Sequence, residues 1–588
     1  MMRRTVWAPR AERAELVLED GERLAMEPAG DGCFQLESVR LVPGRRYRVS
    51  LDGGPPLPDP RSSFQPDGVE GTSELVDEEF AWTDAGWSAP PLRDAIVYEL
   101  HVGTFSPEGT FEGVVRRLDH LTDLGVNAVE LMPVAEFPGR WGWGYDGVNL
   151  YAVRAAYGGP DGLRRLVDAC HRRGVAVILD AVYNHLGPAG NHLDQFGPYF
   201  SDRYRTPWGS AVNFDGPGSD GVRDFVAGNV RRWLRDFHLD GLRLDAVHAI
   251  HDESARHIVE QLAETVEALE AALGRRLWLI LEMDRNDPRG VWPRARGGWG
   301  ATAHWADDFH HALHAALTGE RSGYYGDFHG WPDVVRVLSS PYLYTGQHST
   351  SRDRRHGREP VGTSGERFVV CLQNHDQVGN RAHGERLSRL TTPPWLRVAA
   401  LLLLTSPYVP LLFAGEEWAA STPFLYFSDH EPELGRKITE GRRAEFARFG
   451  WDPAEVPDPQ AESTFTASRL RWEERADQPH AAMLDWYQAL IRLRRDHPEL
   501  GCGDFRQSRV MTEAGSQWVV VERGSHLIGA NLSQEQAAIR APGWETAQPL
   551  AMTGDATCGD GTLRLGPESA AVWWRERESI GSGTDTVR

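Results

Sequence analysis

Cysteine is scarce in this sequence, with five residues among 588. Their spacing matches no metal-ligand pattern, and their odd number and wide scatter indicate free thiols in a reducing compartment. The five positions are Cys33, Cys170, Cys371, Cys502 and Cys558. No motif for a cofactor or a dedicated metal-binding loop is present either. We therefore expect neither a metal ion nor a cofactor.

Signals for export and for membrane insertion are also lacking. Two arginines stand near the N-terminus, but no apolar segment follows them, so no signal peptide is predicted. The apolar run AALLLLT at 399–405 is far too short to span a bilayer and is typical of a buried helix. These absences predict a cytoplasmic protein that has no contact with a membrane.

Positive charge is in deficit. The chain has 63 Lys and Arg against 84 Asp and Glu, a formal net charge of −21, and no basic stripe. Such a surface repels phosphate backbones, so nucleic acid is not an expected partner. Aromatic residues are plentiful, with 21 Trp and 15 Tyr. Because aromatic faces stack on the apolar faces of sugar rings, this composition suits a neutral carbohydrate ligand.

The length and the pattern predict three domains. Residues 1–89 contain short alternating segments broken by Gly and Pro, typical of a β-sandwich, here of the immunoglobulin-like, sugar-binding type. A Pro- and Trp-rich linker follows. Residues 90–500 form the second unit, with a long irregular insertion at 186–219. Alternating β patterns return in 501–588, and the last residues, GSGTDTVR, are expected to be disordered.

The middle unit alternates β-rich runs with amphipathic helices, which predicts a (β/α)₈ barrel of the α/β class. The predicted helices cover 111–125, 161–174, 220–238, 253–273 and 395–406. The eight predicted strands lie within 95–103, 127–134, 175–185, 241–247, 277–284, 302–309, 367–376 and 408–417.

Four polar clusters mark the ends of these strands, where barrel enzymes carry their catalytic groups. The third strand ends in Asp180-Ala-Val-Tyr-Asn184-His185, and the fourth carries Arg243 and Asp245. The fifth ends at Glu282, and the seventh in Asn374-His375-Asp376. A single Asp after a strand is more often a helix cap than a catalyst. Several carboxylates in one pocket repel one another, so four clusters on one rim indicate a reaction that needs them.

Glycosidic cleavage is such a reaction. One carboxylic acid protonates the leaving oxygen while a second carboxylate attacks the sugar. Arg243 and Asp245 are two residues apart, so they point to one face, and the cation favours an ionised Asp245. Glu282 lies on the neighbouring strand as the candidate acid. Retention of configuration requires the two carboxyl groups to lie roughly 5–5.5 Å apart. We assign Asp180 to holding Arg243 and Asn184 to structural support.

These clusters resemble the conserved sequence regions of the α-amylase superfamily of glycoside hydrolases, D-x-x-x-N-H, G-x-R-x-D-A, a strand-end Glu and N-H-D. The resemblance covers residues 95–420 and implies that Asp245 is the nucleophile, Glu282 the acid/base and Asp376 the transition-state stabiliser. It also implies that Arg243, His185 and His375 bind the sugar ring, with Tyr145 as a platform. Further substrate contacts are predicted for His248, Gln377 and Asn380.

Several segments narrow the match, namely 59–74, 144–153, 157–174, 184–193 and 199–219. They resemble the maltooligosyltrehalose trehalohydrolases, which release trehalose from maltooligosyltrehalose and act downstream of a synthase without an implied stable complex. Met283 departs from the expected smaller residue and is predicted to reshape the pocket wall. Selectivity for trehalose requires polar groups placed for its hydroxyls. The candidates are Asp307, Asp308, His310 and His311.

Two other functions are consistent with parts of this pattern. A branching or transferring enzyme of the same superfamily forms the same covalent intermediate and differs only in what resolves it. A non-catalytic glycan-binding scaffold on a decayed barrel is the second alternative. The presence of both Asp245 and Glu282 disfavours the scaffold, because a decayed enzyme is expected to lose one of them.

Overall fold

A closed barrel of eight parallel strands forms the centre of the protein in a computed structural model that describes residues 2–448 and 452–576. We number these strands β1 to β8 in chain order. They are Val97–Leu100, Ala128–Leu131, Ala176–Ala181, Gly241–Leu244, Trp278–Leu281, Ala303–Trp305, Phe368–Cys371 and Val409–Phe413. Each lies inside one of the eight predicted runs, which confirms the predicted (β/α)₈ barrel.

Helices connect most of the strands, and their apolar sides contribute to one large buried core. The longer ones are Phe111–Val115, Leu118–Leu124, Gly159–His171, Ser219–Arg231, Ile258–Leu273, Asp308–Thr318, Trp331–Val337, Pro393–Leu404, Pro432–Arg448, Glu462–Ala467 and His480–Asp496. Only short helical turns, Pro288–Gly290 and Arg294–Arg296, join β5 to β6 in this described part of the chain.

Two of the predicted helices differ clearly from the observed ones. The helix predicted over 111–125 is two helices, which break at Arg116 and Arg117. The helix predicted from residue 253 begins at Ile258 instead. The side chain of Asp252 accepts hydrogen bonds from the main-chain N–H groups of Ser254 and Ile258. It thereby folds residues 252–257 into a turn and caps the helix that follows.

The segment after β3 contains a short helix, Leu193–Phe196, and a β-hairpin of Phe200–Thr206 and Gly209–Val212. The hairpin lies inside the predicted insertion, on the same side of the barrel as the polar strand ends. Trp208, in its turn, is 50 % exposed. The insertion therefore carries an aromatic side chain toward the rim of the barrel.

The N-terminal residues form two antiparallel sheets. Met2–Trp7, Cys33–Ser38 and Glu27–Pro28 make one, and Arg23–Ala25, Ala14–Leu18, Arg46–Leu51 and Ser73–Glu74 the other. Leu16, Phe34 and Val49 are buried in the core that these sheets share with the rest of the chain. The predicted β character of this region is confirmed.

The C-terminal region is also antiparallel β-structure, as predicted. A five-stranded sheet consists of Ser508–Met511, Trp518–Arg523, His526–Asn531, Ser569–Trp574 and Gln548–Thr553. A three-stranded sheet of Ala537–Arg540, Thr562–Leu565 and Ala556–Gly559 accompanies it. The tail predicted to be disordered lies outside the described residues. The domain boundaries at residues 89 and 500 remain predictions.

Candidate active site

The four polar clusters meet at the carboxyl-terminal rim of the barrel. Asp180 of β3 is the register partner of Arg243 on β4. Asp245 and Glu282 follow directly after β4 and β5, and Asp376 lies in the short helix after β7. Because all eight strands are parallel, these side chains share one rim, where a barrel enzyme is expected to bind its substrate.

Arg243 organises the cluster because its guanidinium contacts three carboxylates. Nη1 donates to Asp180 at 2.5 Å and to Asp245 at 3.0 Å, and Nη2 lies 2.9 Å from Glu282 Oε2. The side chain is fully buried, and the guanidinium carbon lies 4.3 Å from the ring centroid of Trp305. Burial opposes its charge, but the carboxylates outweigh this and raise the pKa of Arg243 well above its ordinary value.

Asp245 is fixed from two sides. Asn184 Nδ2 donates to Asp245 Oδ2 at 2.7 Å and to its main-chain oxygen at 2.9 Å, while Arg243 holds Oδ1. Burial raises the pKa of Asp245, and the charge of Arg243 opposes that rise. The residue keeps 8 % exposure. Its carboxylate is therefore held in one orientation and remains accessible, as an attacking group requires.

Glu282 is oriented by the turn that follows Asp245. Its Oε2 accepts a hydrogen bond of 2.7 Å from the main-chain N–H of Ala246. Ala246 has a φ of +40°, a left-handed conformation that non-glycine residues rarely adopt. Such backbone strain is often found at functional sites. Because Asp245 and Glu282 contact the same guanidinium of Arg243, the two carboxylates lie in one cleft.

His375 and Tyr145 connect the remaining carboxylates. The Tyr145 hydroxyl donates to Asp180 Oδ2 at 2.6 Å and lies 2.7 Å from His375 Nε2, and the two rings are stacked. His375 Nε2 is also 3.5 Å from Asp376 Oδ1. On its other side, His375 contacts Glu99 of β1. Sequence reasoning missed Glu99, because a single Glu inside the strand VYEL gives no signal of its own.

His185 lies beside Asp245 and carries an aromatic neighbour. Its Nδ1 is 2.5 Å from Asn184 Oδ1, and its Nε2 is 3.1 Å from the main-chain oxygen of Tyr145. The ring of Trp208 stacks on it at 5.1 Å between centroids and 23° between planes. Burial lowers the pKa of His185. The hairpin of the insertion thus covers one side of the cleft with an exposed indole.

Asp307, His311 and His248 are among the partly exposed members of the predicted substrate-binding group. Burial, followed by the charge of Glu282, raises the pKa of Asp307 to about 8. His311 lies 4.8 Å from the ring of Tyr324, and burial lowers its pKa to about 3. At neutral pH, therefore, Asp307 is protonated and His311 is neutral, so both can donate hydrogen bonds to sugar hydroxyls.

Asp308 and His310 were predicted to bind sugar, but they are bonded inside the protein. His310 is 1 % exposed, with Nδ1 at 2.5 Å from the oxygen of Leu372 and Nε2 at 2.8 Å from the Tyr325 hydroxyl. Asp308 Oδ2 accepts hydrogen bonds from Asn286 and from a main-chain N–H. Both nitrogens of His310 are occupied, so these contacts favour a role in holding the helix of 308–318 in place.

Gln377 and Asn380 lie in and directly after the helix that presents Asp376. Gln377 Oε1 accepts from the main-chain N–H of Asn374, whose side chain in turn accepts from the N–H groups of Asp376 and Gln377. This capping box fixes the start of the helix. Asn380 Nδ2 donates to Asp376 Oδ1 at 3.2 Å. Both residues are therefore placed to orient Asp376, and contact with substrate remains a prediction for them.

Met283, where a smaller residue was expected, is buried at 3 % exposure. A Cβ atom placed on Gly290 would lie 3.2 Å from the terminal methyl group of Met283.

Within residues 2–448 and 452–576, no group of three or more His, Cys, Asp or Glu side chains is arranged to hold a metal ion. In the same ranges, no helix is long and apolar enough to cross a membrane.

Comparisons with known proteins agree with this geometry. Residues 66–203 match the family model "Alpha amylase, catalytic domain", and residues 509–572 match a domain of unknown function, DUF3459. A crystal structure from Salmonella typhimurium, provisionally described as an alpha amylase, superposes with a TM-score of 0.89 at 37% identity, with 97% of each chain covered. A pullulanase from Paenibacillus barengoltzii shares the fold at 21% identity, with a TM-score of 0.71 over 98% of this chain and 94% of its own.

Curated relatives narrow the family. A malto-oligosyltrehalose trehalohydrolase from Rhizobium sp. (strain M-11) is 46% identical, with 96% of each chain covered. One from Arthrobacter ramosus is 50% identical over 84% of this chain and 87% of its own. The match to the Rhizobium relative extends through the N-terminal sheets, the barrel and the C-terminal sheets. The chain therefore belongs to the malto-oligosyltrehalose trehalohydrolase family, within the alpha-amylase family of glycoside hydrolases.

Proposed function

We propose that this protein hydrolyses the α-1,4-glucosidic bond next to the terminal trehalose of maltooligosyltrehalose, releasing trehalose with retention of configuration at the cleaved sugar. The observation that carries the proposal is the placement of Asp245 and Glu282 on one guanidinium at the barrel rim. Retaining cleavage needs a nucleophile and an acid on two sides of one bond. The names of the relatives supply the substrate class.

The proposed reaction has two steps. Glu282 gives its proton to the glycosidic oxygen while Asp245 attacks the anomeric carbon. The C–O bond breaks with its electron pair on oxygen, and trehalose leaves. Glu282 then takes a proton from a water molecule, whose oxygen attacks the same carbon and releases Asp245 as a carboxylate. The products are trehalose and a shortened maltooligosaccharide, and both side chains return to their starting states.

Asp376 and the surrounding residues are proposed to stabilise the transition state. Asp376 accepts hydrogen bonds from ring hydroxyls that strengthen as the sugar flattens. His185 and His375 line the site of the same ring, and Tyr145 supports it from below. We assign selectivity for trehalose to Asp307, His311 and His248, because their partly exposed polar atoms are left unpaired when maltose replaces trehalose.

The setting of the reaction follows from the substrate. Maltooligosyltrehalose must be supplied by an enzyme that isomerises the reducing end of a maltooligosaccharide, and we propose the corresponding synthase as the pathway partner, acting in the cytoplasm. We further propose that residues 1–89, 90–500 and 501–588 are the three domains, with the catalytic groups confined to the second. The positions of the four polar clusters support this division.

Product analysis with maltotriosyltrehalose tests the proposal. Trehalose and maltotriose are the expected products, and maltopentaose at the same concentration is expected to be cleaved much more slowly. Asp245→Asn and Glu282→Gln are expected to reduce turnover by about 10⁴-fold or more while leaving the melting temperature unreduced. If new 1,6-branches form and no free trehalose is released, the protein is a branching enzyme and not a hydrolase. Full activity in either variant would contradict the assigned roles.

A further inference from the structure

We propose that Glu99, on β1, is a positioning residue that holds His375 as a doubly protonated imidazolium. No feature of the sequence pattern assigns a role to this carboxylate. The inference rests on the proposed function only for its effect on catalysis, because the charge of His375 can be measured in the protein without substrate. The inference adds Glu99, which contacts His375, to the residues that control the reaction.

Glu99 contacts His375 through both of its oxygens. Oε2 accepts a hydrogen bond of 2.9 Å from the main-chain N–H of His375, and Oε1 lies 2.5 Å from Nδ1 of its ring. Both residues are 1 % exposed. The carboxylate therefore fixes the position of the backbone and of the imidazole together, out of contact with solvent.

The direction of the hydrogen bonds sets the charge of the ring. Asp180 Oδ2 accepts from Arg243, and it also accepts from the Tyr145 hydroxyl, which uses the only proton of that hydroxyl. The Tyr145 oxygen, 2.7 Å from His375 Nε2, must then accept a proton from that nitrogen. With Glu99 accepting at Nδ1, both ring nitrogens donate. An imidazole that donates from both nitrogens is positively charged.

The charges around the ring support this state. Glu99 lies on one side, and Asp376 on the other at 3.5 Å, with Asp180 and Tyr145 beyond Nε2. Arg243 is the cation that opposes a positive ring. Glu282 after β5 and Glu130 of β2 complete the cluster, and burial disfavours the charged form of Glu130. Burial lowers the pKa of His375, but Glu99 and Asp376 outweigh it and raise the pKa to about 10.

Glu130 is a natural control for Glu99. It is the register partner of Glu99 on β2 and is equally buried at 1 % exposure. Among the residues that the structure describes, neither of its oxygens has a hydrogen-bond partner. Burial, followed by the charge of Glu99, raises the pKa of Glu130 well above its ordinary value. The charged form of Glu130 is therefore disfavoured, whereas Glu99 is the member of the pair that contacts His375.

A charged His375 has two consequences for the proposed reaction. Its Nε2–H donates to the Tyr145 oxygen, so the Tyr145 hydroxyl donates to Asp180, and these hydrogen bonds connect β1 to Arg243 and the nucleophile. Its positive charge beside Asp376 favours the ionised form of that carboxylate, which must accept hydrogen bonds from the sugar. Glu99 acts through His375 and does not touch the substrate.

Glu99→Gln tests the inference, because glutamine keeps the shape and the bond to the His375 N–H but carries no charge. In protein labelled with ¹³C and ¹⁵N histidine and assigned with a His375→Asn variant, wild-type His375 is expected to stay an imidazolium from pH 6 to beyond pH 8. In Glu99→Gln, it is expected to be neutral at pH 8. Turnover at pH 8 is expected to fall about 10- to 100-fold and to recover partly as the pH is lowered.

Glu130→Gln is the matched control, with the same substitution on the neighbouring strand. It is expected to leave the His375 titration unchanged and turnover within about twofold of wild type. A neutral His375 at pH 7 in the wild-type protein would overturn the inference without any variant. So would an unchanged His375 titration in Glu99→Gln. If His375 is charged as expected but no trehalose is released, the proposed function fails while the inference stands.

Discussion

At the scale of single residues, one arginine explains why several acids can coexist at the barrel rim. Arg243 contacts Asp180, Asp245 and Glu282, and its charge offsets their repulsion. These four residues could be found from the sequence, because parallel strands bring their carboxyl ends to one rim. Glu99 could not, since nothing in one sequence tells a buried strand Glu that contacts an active-site histidine from one that does not.

Asp307 gives a prediction about pH and stability. Its pKa is raised from 3.8 to about 8, so between these values the folded protein holds a proton that the unfolded chain has released. Stability is therefore lost as the pH rises from about 4 to 8. Asp307→Asn removes this loss. The melting temperature of the variant relative to wild type is expected to increase steadily from pH 5 to pH 8.

Asp284→Asn is the control for this measurement, because Asp284 is an exposed neighbour that forms an ion pair with Arg352. It is expected to show a much smaller increase, because burial and Glu282 raise the pKa of Asp307 more than Asp284 does. A difference between Asp307→Asn and wild type that stays constant or shrinks toward pH 8 would contradict the protonated state assigned to Asp307.

At the scale of elements, strands and polar clusters were predictable. The ends of helices and the exposure of individual polar residues were not. The barrel strands are predominantly apolar runs, which the pattern identifies directly. The start of the helix at Ile258 depends on Asp252, whose side chain also pairs with Arg223 of another helix. The pattern of 307–311 gave four polar residues, but only the helix geometry separates buried His310 from partly exposed His311.

The hairpin of the insertion gives the second prediction. Trp208, in its turn, stacks on His185 and is half exposed, so it offers an aromatic face to a sugar near the nucleophile. Trp208→Ala is expected to raise KM for maltotriosyltrehalose about tenfold while changing kcat less than threefold. Trp208→Phe, which keeps an aromatic ring, is expected to retain most of the affinity. Equal KM values for wild type and Trp208→Ala would remove this residue from the substrate site.

At the scale of the whole molecule, the N-terminal sheets pack against the barrel through Trp7. Its ring meets Tyr199 of the insertion edge-on at 5.3 Å between centroids. Gly197 and Gly221 leave room for it, and a Cβ on Gly221 would lie 2.1 Å from Trp7 Cε2. The composition predicted a separate N-terminal β unit, but a contact between units depends on shape and could not be read from the sequence.

This contact gives the third prediction. Trp7→Ala is expected to lower the melting temperature by about 4 °C, because it removes a large partly buried ring. Gly221→Ala is expected to cost at least as much, since the added methyl group collides with that ring. In the double variant the space vacated by Trp7 accepts the methyl group, so the combined loss is expected to be smaller than the sum. Additive losses would show that the two positions do not touch.

The central claim is retaining cleavage by Asp245 and Glu282, and the anomeric form of the first product tests it most directly. Proton NMR during the first minutes of maltotriosyltrehalose hydrolysis resolves the new reducing end before it mutarotates. We predict that the α-anomer of maltotriose appears first, because two successive displacements at one carbon restore its configuration. Initial release of the β-anomer would mean a single displacement by water and would contradict Asp245 as the nucleophile.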